Sequence, residues 1–184
     1  MIIIGITGTL GAGKGTIVEY LTEKKGFVHY SVRAYLLEKI RETGLPENRD
    51  SMFTLANELR SGYGPSYVTD QLYNQARISG QNCVIESIRT PGEIESLRGK
   101  GHFYLFAVDA DPEIRYQRIF LRQSETDHVS RDNFLEDEKR EMNTTDQNKQ
   151  NLRKCIQMAD FLILNNGTKK DLILQLEKAL DQVS

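Results

Sequence analysis

Short apolar runs alternate with longer amphipathic stretches along most of the chain. Five of the runs are nearly continuous in apolar residues and rich in β-branched ones, which is typical of buried parallel strands. They cover residues 2–7, 27–30, 82–86, 103–109 and 160–164. Because helical patterns separate these strands, we predict an α/β fold with right-handed crossovers and a parallel sheet that helices cover on both faces.

Capping residues and prolines mark the ends of the predicted helices. N-cap residues and first-turn prolines favour helix starts, and a glycine after the last turn favours a helix end. The predicted starts are Ser31, Pro65, Thr90-Pro91, Asp111-Pro112, Ser130 or Asp132, and Thr168, and Gly80 ends the second of these helices. We predict one domain over residues 1–184, with a helical insert at about 31–79 and a short polar lid at about 123–131.

Composition narrows the function classes. The 184 residues carry 24 Lys plus Arg against 26 Asp plus Glu, a net charge of −2, which argues against nucleic-acid binding through bulk charge. No stretch approaches the ~18 apolar residues of a membrane span, and no basic leader precedes the first strand, so we expect neither membrane association nor secretion. Cys83 and Cys155 have no metal-ligand partners at usable spacing. We therefore expect core thiols in a cytoplasmic protein.

The segment between the first strand and the first helix has the composition of a phosphate loop. Its glycines allow backbone N–H groups to turn toward phosphate oxygens, and the helix start adds unpaired N–H groups. Lys14 adds a point charge for the outer phosphates. An ordinary glycine-rich turn with this spacing would arise by chance in roughly one such chain in a hundred. We predict an ATP site formed by Gly8, Thr9, Leu10, Gly11, Ala12, Gly13, Lys14, Gly15 and Thr16.

The position after the lysine predicts an unusual magnesium environment. Phosphate loops commonly place Ser or Thr there as a direct Mg²⁺ ligand, whereas this chain has Gly15 and delays the hydroxyl to Thr16. Mg²⁺ would then keep more of its water, which it tolerates. Two acids end predicted strands at the edge where ligands bind in parallel sheets. We expect Glu86 to orient metal-bound water, with Asp109 as the second candidate.

The predicted helix 111–125 carries three arginines on one side. Arg115, Arg118 and Arg122 fall within about 60° of one another at ~100° per residue. A solvated face would explain them, and so would a stripe that neutralises the phosphoryl group during transfer. Arg131 and Arg140 could join that stripe from beyond the polar loop, which would exclude water by closing.

Three further arginines lie in or beside the insert. Arg33 and Arg60 belong to the helical insert, and Arg89 follows the third strand. We name them as candidates for binding a second anionic substrate, although each alone is also typical of an exposed surface position.

Several motifs together resemble the nucleoside-monophosphate-kinase group of P-loop proteins. Residues 8–16 are similar to the GxxGxGKGT loop of adenylate kinases, and Glu86-Ser87-Ile88-Arg89 is similar to the acid-Gly-apolar-Arg turn of their short-lid relatives. The segments 55–60, 111–118 and 159–166 also resemble that group. The likeness covers nearly the whole chain.

The resemblance implies a five-stranded parallel sheet, with ATP and Mg²⁺ as donor and a nucleoside or deoxynucleoside monophosphate as acceptor. It implies that Arg33 and Arg89 hold the acceptor phosphate, and that Arg118 and Arg122 bridge donor and acceptor. Residues around Asn166 would approach the adenine. The partners would be small nucleotides, and the chain a monomer or weak homo-oligomer.

Two alternatives remain open at this point. The segment 109–118 and the last strand and helix also resemble dephospho-coenzyme A kinases, but the Asp-x-Pro-Leu-Leu segment of that family is absent after the third strand. An ATP-dependent switch or ATPase is the alternative of another class. A GTP switch is disfavoured because the chain has neither an Asn-Lys-x-Asp nor an Asp-x-x-Gly motif.

Overall fold

A five-stranded, all-parallel sheet forms the centre of the fold. The computed structural model describes residues 1–122 and 130–183. The strands are β1 (Ile3–Gly8), β2 (Val28–Ser31), β3 (Cys83–Glu86), β4 (Phe103–Asp109) and β5 (Phe161–Leu164). They lie in the order β2-β3-β1-β4-β5, and every pair is parallel. This confirms the predicted fold class, and the predicted strand ends differ from the observed ones by a residue at most.

The described helices occupy the connections between strands. They are α1 (Lys14–Lys25), α2 (Val32–Thr43), α3 (Arg49–Tyr63), α4 (Tyr67–Ser79), α5 (Pro91–Arg98), α6 (Pro112–Arg122), α7 (Arg131–Met142), α8 (Leu152–Gln157) and α9 (Lys169–Leu180). The predicted insert thus consists of α2, α3 and α4. Helix α8 has no counterpart among the predicted helices. The predicted lid lies outside the described residues over 123–129, as does the end of the predicted helix 111–125.

Adjacent strand residues pack into two separate cores, one on each face of the sheet. Ile3 and Ile85 belong to a cluster with side chains of α2, α3, α4, α5 and α8. Ile4 and Val84 belong to a cluster with side chains of α1 and α9. Because successive strand residues point to opposite faces, the continuous apolar runs of these strands are explained by burial on both faces.

The capping residues act largely as predicted. The Ser31 hydroxyl accepts a hydrogen bond from the Ala34 N–H, and the Ser130 hydroxyl accepts one from Asn133, so Ser130 and not Asp132 begins α7. Thr90 and Thr168 each form a capping box with the acid three residues later. These caps fix where the helices leave the carboxyl edge of the sheet.

Both cysteines are buried free thiols. Burial raises the pKa of Cys83 to about 11 and also raises the pKa of Cys155, so neither is a ready nucleophile. Among the described helices, none combines the length and apolar character needed to cross a membrane.

Candidate functional site

The loop between β1 and α1 folds tightly at the carboxyl edge of the sheet. Gly8, Gly11 and Gly13 have φ values of 140°, 77° and 104°, which L side chains rarely adopt. A Cβ on Gly8 would lie 2.0 Å from the Val108 carbonyl oxygen, and one on Gly13 would lie 2.3 Å from Asn165 Nδ2. The glycines are therefore required for close packing as well as for backbone conformation.

This loop borders a cavity of about 710 Å³. The other walls come from α2, α3, the residues after β3, α6 and α7. Of the predicted site residues, the cavity is lined by Leu10, Gly11, Gly13, Lys14, Gly15, Thr16, Arg33, Arg60, Glu86, Arg89, Arg118 and Arg122. The remaining predicted residues, which are Gly8, Thr9, Ala12, Asp109 and Asn166, lie outside this lining.

Lys14 turns its ammonium group onto its own loop. The Nζ atom donates to the carbonyl oxygens of Gly8 and Thr9, at 2.8 Å each. Loss of hydration, followed by the charge of Arg89, lowers the pKa of Lys14 from 10.5 to about 7, although Glu86 acts in the opposite direction. An anion bound in the loop would favour the charged form and raise this pKa.

Glu86 faces the cavity from the end of β3. Its Oε1 accepts from the Ser31 hydroxyl at 2.9 Å, and its Oε2 accepts from the Ser87 hydroxyl at 2.8 Å. Ser87 has a φ of 67°, alone among the described non-glycine residues in having a positive value. The two hydroxyls hold the carboxylate beside the phosphate loop, where it could orient the water of a phosphate-bound metal ion.

Asp109, the second metal candidate, is engaged differently. Its Oδ1 accepts from the Thr9 hydroxyl at 2.6 Å and from the Ala110 N–H at 2.9 Å. This carboxylate braces the phosphate loop against the end of β4. Within the described residues, no cluster of three or more His, Cys, Asp or Glu side chains could hold a metal ion alone, so phosphate oxygens and water would have to complete any Mg²⁺ site.

The arginine stripe of α6 separates into two parts. Arg115 is 3% exposed; it donates to the Ala110 carbonyl at 2.8 Å and pairs with Glu138 at 2.5 Å. Arg118 and Arg122 line the cavity. Arg115 therefore has a structural role in holding α6, whereas Arg118, three residues later, faces the cavity.

Arg131 and Arg140 are held away from the cavity. Arg131 pairs with Glu113 at 2.9 Å, and Arg140 pairs with Asp50 and Asp137. Neither is among the residues that line the cavity, so they do not extend the stripe in this conformation.

Asn165 connects α6 to the phosphate loop and was not predicted. Its amide nitrogen donates to the Ala12 carbonyl at 2.8 Å, and its Oδ1 lies 3.5 Å from Arg118 Nη2. The neighbouring Asn166 instead accepts from the Asp111 N–H at 2.7 Å. Asn165 carries a signal that could have identified it, since it is a polar residue directly after a predicted strand.

The three candidate acceptor arginines have different surroundings. Arg33 is exposed at the start of α2. Arg60 is 1% exposed and donates to Glu93 at 3.0 Å, while its Nε and Nη1 have no described partner. Arg89 donates to Glu141 and, at 3.2 Å, to Gln150.

Arg49 and Glu141 also line the cavity, and neither was predicted. Arg49 Nη2 donates to Glu141 Oε1 at 2.7 Å across a separation of 92 residues. Burial alone would raise the pKa of Glu141, but the charges of Arg89 and Arg49 outweigh burial and lower it to about 2. Arg49 begins a helix and Glu141 lies in a charge-rich one, so neither carries a local signal.

The lining of the cavity is strongly cationic. Among the described residues, seven basic side chains line it against three carboxylates, those of Glu19, Glu86 and Glu141, which leaves a formal excess of four positive charges. The basic residues are Lys14, Arg33, Arg49, Arg60, Arg89, Arg118 and Arg122. Such an excess is suited to binding polyanions.

Comparisons with known proteins agree with this architecture. A family model described as AAA domain matches residues 4–146. A UPF0200 protein of Methanococcus maripaludis (strain DSM 14266) is 27% identical over 186 residues, which cover 100% of this chain and 98% of that protein.

Two solved structures resemble the fold over its whole length. TT1252 from Thermus thermophilus has a TM-score of 0.61 and 23% identity, covering 100% of this chain and 98% of that one. A sugar kinase from Janibacter sp. HTCC2649 has a TM-score of 0.59 and 14% identity, covering 98% and 95%. At these identities the likeness concerns the fold alone.

Proposed function

The chain belongs to the AAA domain family, and from this premise we propose that it is an ATP-dependent phosphotransferase whose acceptor is a nucleoside or deoxynucleoside monophosphate. One observation carries the proposal: a phosphate loop and a set of arginines line the same cavity. The loop would take the donor, and the arginines would take an acceptor that is itself anionic.

The donor end is supplied by the loop and α6. Backbone N–H groups of the loop and the start of α1 would bind the phosphates of ATP. Lys14, Arg118 and Arg122 would neutralise charge on the transferred group, which is the main requirement of phosphoryl transfer. Mg²⁺ would supply further positive charge between phosphate oxygens, with Glu86 holding its water.

The charge of the cavity favours a phosphate-bearing acceptor. Magnesium-bound ATP carries about two negative charges and a phosphate monoester up to about two more, which together match the formal excess of four positive charges in the lining. A neutral hydroxyl acceptor would leave about half of that formal excess unmatched by ligand charge, although Glu93 and Asp137, which do not line the cavity, already pair with Arg60 and Arg49.

The insert provides an apolar wall beside the arginines. Val32 and Leu36 of α2 and Met52, Phe53 and Ala56 of α3 line the cavity together with Arg33 and Arg60. An apolar surface with an aromatic ring suits a nucleobase, and nearby guanidinium groups suit its phosphate. The cavity volume of about 710 Å³ lies within the usual range for ligand sites, roughly 300–1,000 Å³.

The test is a panel of acceptors with ATP and Mg²⁺, scored by ADP release. It contains the ribonucleoside and deoxyribonucleoside monophosphates, and dephospho-coenzyme A, whose phosphates would fit the same charge. We expect one nucleoside monophosphate to raise ADP release at least about tenfold over the acceptor-free rate. ADP release that no acceptor stimulates would indicate an ATPase or switch, and stimulation by dephospho-coenzyme A alone would assign that acceptor instead.

Lys14→Ala provides the activity control for this panel. The substitution should lower kcat on the order of 10²-fold or more, the scale of losing one preorganised charge or donor. Lys24→Ala is the matched control, because Lys24 is an exposed residue of the same helix and should leave kcat unchanged. Equal rates for wild type and Lys14→Ala would remove the loop from the mechanism.

A further inference from the structure

One carboxylate, that of Glu141, lies between two guanidinium groups in the cavity wall. Its Oε1 accepts from Arg49 Nη2 at 2.7 Å, and its Oε2 accepts from Arg89 Nη1. Arg49 begins α3, Arg89 follows β3, and Glu141 lies in the last turn of α7, so three distant segments meet here. All three side chains line the cavity, and that of Glu141 is only 6% exposed.

Glu93 shows what a permanently fixed carboxylate looks like in the same region. Its Oε2 accepts from the backbone N–H groups of Arg89 and Thr90, and its Oε1 accepts from Arg60. It is 0% exposed and forms part of a capping box. Backbone donors therefore hold Glu93 in place, and no ligand could replace it without unwinding the start of α5.

Glu141 is held in a different way. Within the described part of the chain, the hydrogen bonds it accepts come from the two cavity-lining guanidinium groups. Its position in the last turn of α7 adds no support, because a carboxylate near a helix C-terminus is opposed by the helix dipole. A stronger anion that reached Arg49 and Arg89 through the cavity could take over both partners.

We propose that Arg49 and Arg89 form the site for the acceptor's phosphate, and that Glu141 occupies this site until that phosphate displaces it. This inference rests on the proposed function and identifies the acceptor by its anionic group. A phosphate monoester carries up to twice the charge of a carboxylate and has three acceptor oxygens, which suits two guanidinium forks. Arg60 Nε and Nη1, buried without described partners, are donors that the Glu141 carboxylate leaves unused.

The arrangement would make Glu141 a specificity determinant. Neutral molecules have no charge with which to compete for the two arginines, so they would leave the ion pairs intact. A phosphate would exchange one anion for another and avoid the cost of leaving these half-buried guanidinium groups without their Glu141 partner. The same competition lowers the affinity for the true acceptor, so removal of the Glu141 charge should tighten phosphate binding.

The test measures anion binding without turnover. Inorganic phosphate is titrated by calorimetry into protein saturated with a non-hydrolysable ATP analogue and Mg²⁺, so that all three phosphate positions of the donor are already filled. Glu141→Gln keeps the shape but removes the competing charge, and we expect it to lower the phosphate Kd by about tenfold or more, the value of one hydrogen bond to a charged group. Glu138→Gln is the matched control, because Glu138 lies on the same helix as Glu141 but pairs with Arg115 of α6. Arg115 is not in the cavity lining, so the phosphate Kd of this variant should equal that of wild type.

Two further variants test whether the tighter phosphate binding depends on Arg49, and provide an alternative if Glu141→Gln does not fold. Adding Arg49→Gln to Glu141→Gln should remove much of the gain, because Arg89 is then the remaining one of the two guanidinium groups that Glu141 had engaged; Arg49 also pairs with Asp137 at 3.1 Å. If Glu141→Gln does not fold, Glu141→Asp keeps the charge on a side chain too short to span both arginines, and it should tighten phosphate binding by a smaller factor. Thermal unfolding checks each variant.

The outcomes separate this inference from the proposed function. Unchanged or weaker phosphate binding in the folded Glu141 variants would show that Glu141 only orients the arginines, and would overturn the inference. The absence of phosphate binding in every variant would overturn it as well. Tighter binding in Glu141→Gln, with no nucleoside monophosphate stimulating ADP release, would support the site and reject the proposed reaction.

Discussion

Two carboxylates at the carboxyl edge of the sheet, Glu86 and Asp109, are held by different kinds of partner. Glu86 is oriented by two hydroxyls and faces the cavity, whereas Asp109 is occupied by the Thr9 hydroxyl and a backbone N–H. We expect Glu86→Gln to raise the Mg²⁺ concentration needed for half-maximal rate by about 10-fold or more, because the amide cannot orient metal-bound water by charge. Magnesium titrations of ADP release measure this effect.

Asp109→Asn is the comparison for Glu86→Gln. It should lower stability, because it weakens the brace on the phosphate loop, but leave the magnesium requirement close to that of wild type. If the magnesium titrations for Glu86→Gln and wild type superimpose while Asp109→Asn shifts, Asp109 holds the metal-bound water.

Arg89 should serve the acceptor and not ATP. An ammonium group cannot reproduce the bidentate contacts of a guanidinium with a phosphate, so Arg89→Lys should lower kcat/KM for the acceptor by roughly 10- to 150-fold. The ATP Kd, measured without acceptor, should change little. Arg98→Lys is the control, since Arg98 pairs with Asp160 on the surface. If Arg89→Lys lowers the ATP affinity and Arg98→Lys does not, Arg89 binds ATP and the prediction is wrong.

At the scale of single residues, the sequence predicted the groups that lie next to recognisable strand ends. Lys14 and Arg89 follow β1 and β3, Glu86 is the last residue of β3, and all three line the cavity. Arg49 and Glu141 could not be predicted in this way, because the contact that unites them joins residues 92 positions apart. Local pattern contains no information on such a pairing.

At the scale of elements, the first turn of α5 holds Arg60 and Arg89 in position through Glu93. The Thr90 hydroxyl accepts from the Glu93 N–H, and Glu93 in turn accepts from the Arg89 N–H and from Arg60. We expect Thr90→Ala to lower the free energy of unfolding by about 1–2 kcal/mol through loss of the cap. It should also raise the acceptor KM several-fold, because Glu93 then holds the arginines less firmly.

Thr168→Ala separates these two effects of Thr90→Ala. Thr168 forms a similar capping box at the start of α9, far along the chain from the acceptor arginines. Urea unfolding should give a comparable loss of stability, while acceptor KM at saturating ATP stays at the wild-type value. An equal rise of KM in both variants would mean that general destabilisation, and not the support of the arginines, is responsible.

Helix starts were predictable from sequence, but the division of the insert was less so. The N-caps at Ser31, Thr90 and Thr168 each form their predicted hydrogen bond, because capping depends on three or four neighbouring residues. Helix α8 was missed because its six residues are too few for a clear apolar period. Arg115 was grouped with Arg118 and Arg122 because helical periodicity shows that residues share a face but not which of them packs inward.

At the scale of the molecule, opposite charges are segregated in a way that composition conceals. The chain has a net charge of −2, yet the described residues that line its cavity carry a formal excess of four positive charges. Residues from the phosphate loop, the insert, β3 and α6 contribute to this excess, and they meet because β1 lies between β3 and β4. Parallel strands alone predict a shared edge, whereas the strand order that places those residues side by side depends on long-range packing.

Burial of Lys14, together with the nearby charge of Arg89, should make the ligand-free fold more stable at higher pH. The pKa of Lys14 is about 7 in the folded protein against 10.5 ordinarily, so between these values the unfolded chain binds more protons than the folded one. Stability therefore rises with pH across this window, and the full cost of charging Lys14 is present below about pH 7. Lys14→Met removes the titrating group together with that cost.

We therefore expect Lys14→Met to be more stable than wild type at pH 6, by on the order of 1 kcal/mol, with the difference shrinking toward pH 10. Urea unfolding without ligand at pH 6 and at pH 9.5 measures the difference. With magnesium and ATP bound, wild type should be the more stable protein at pH 6, because the phosphates stabilise the charged Lys14 and have no such partner in Lys14→Met. A stability difference that is the same at both pH values would show that Lys14 has an ordinary pKa in the folded protein, and that neither burial nor the neighbouring cations lower it.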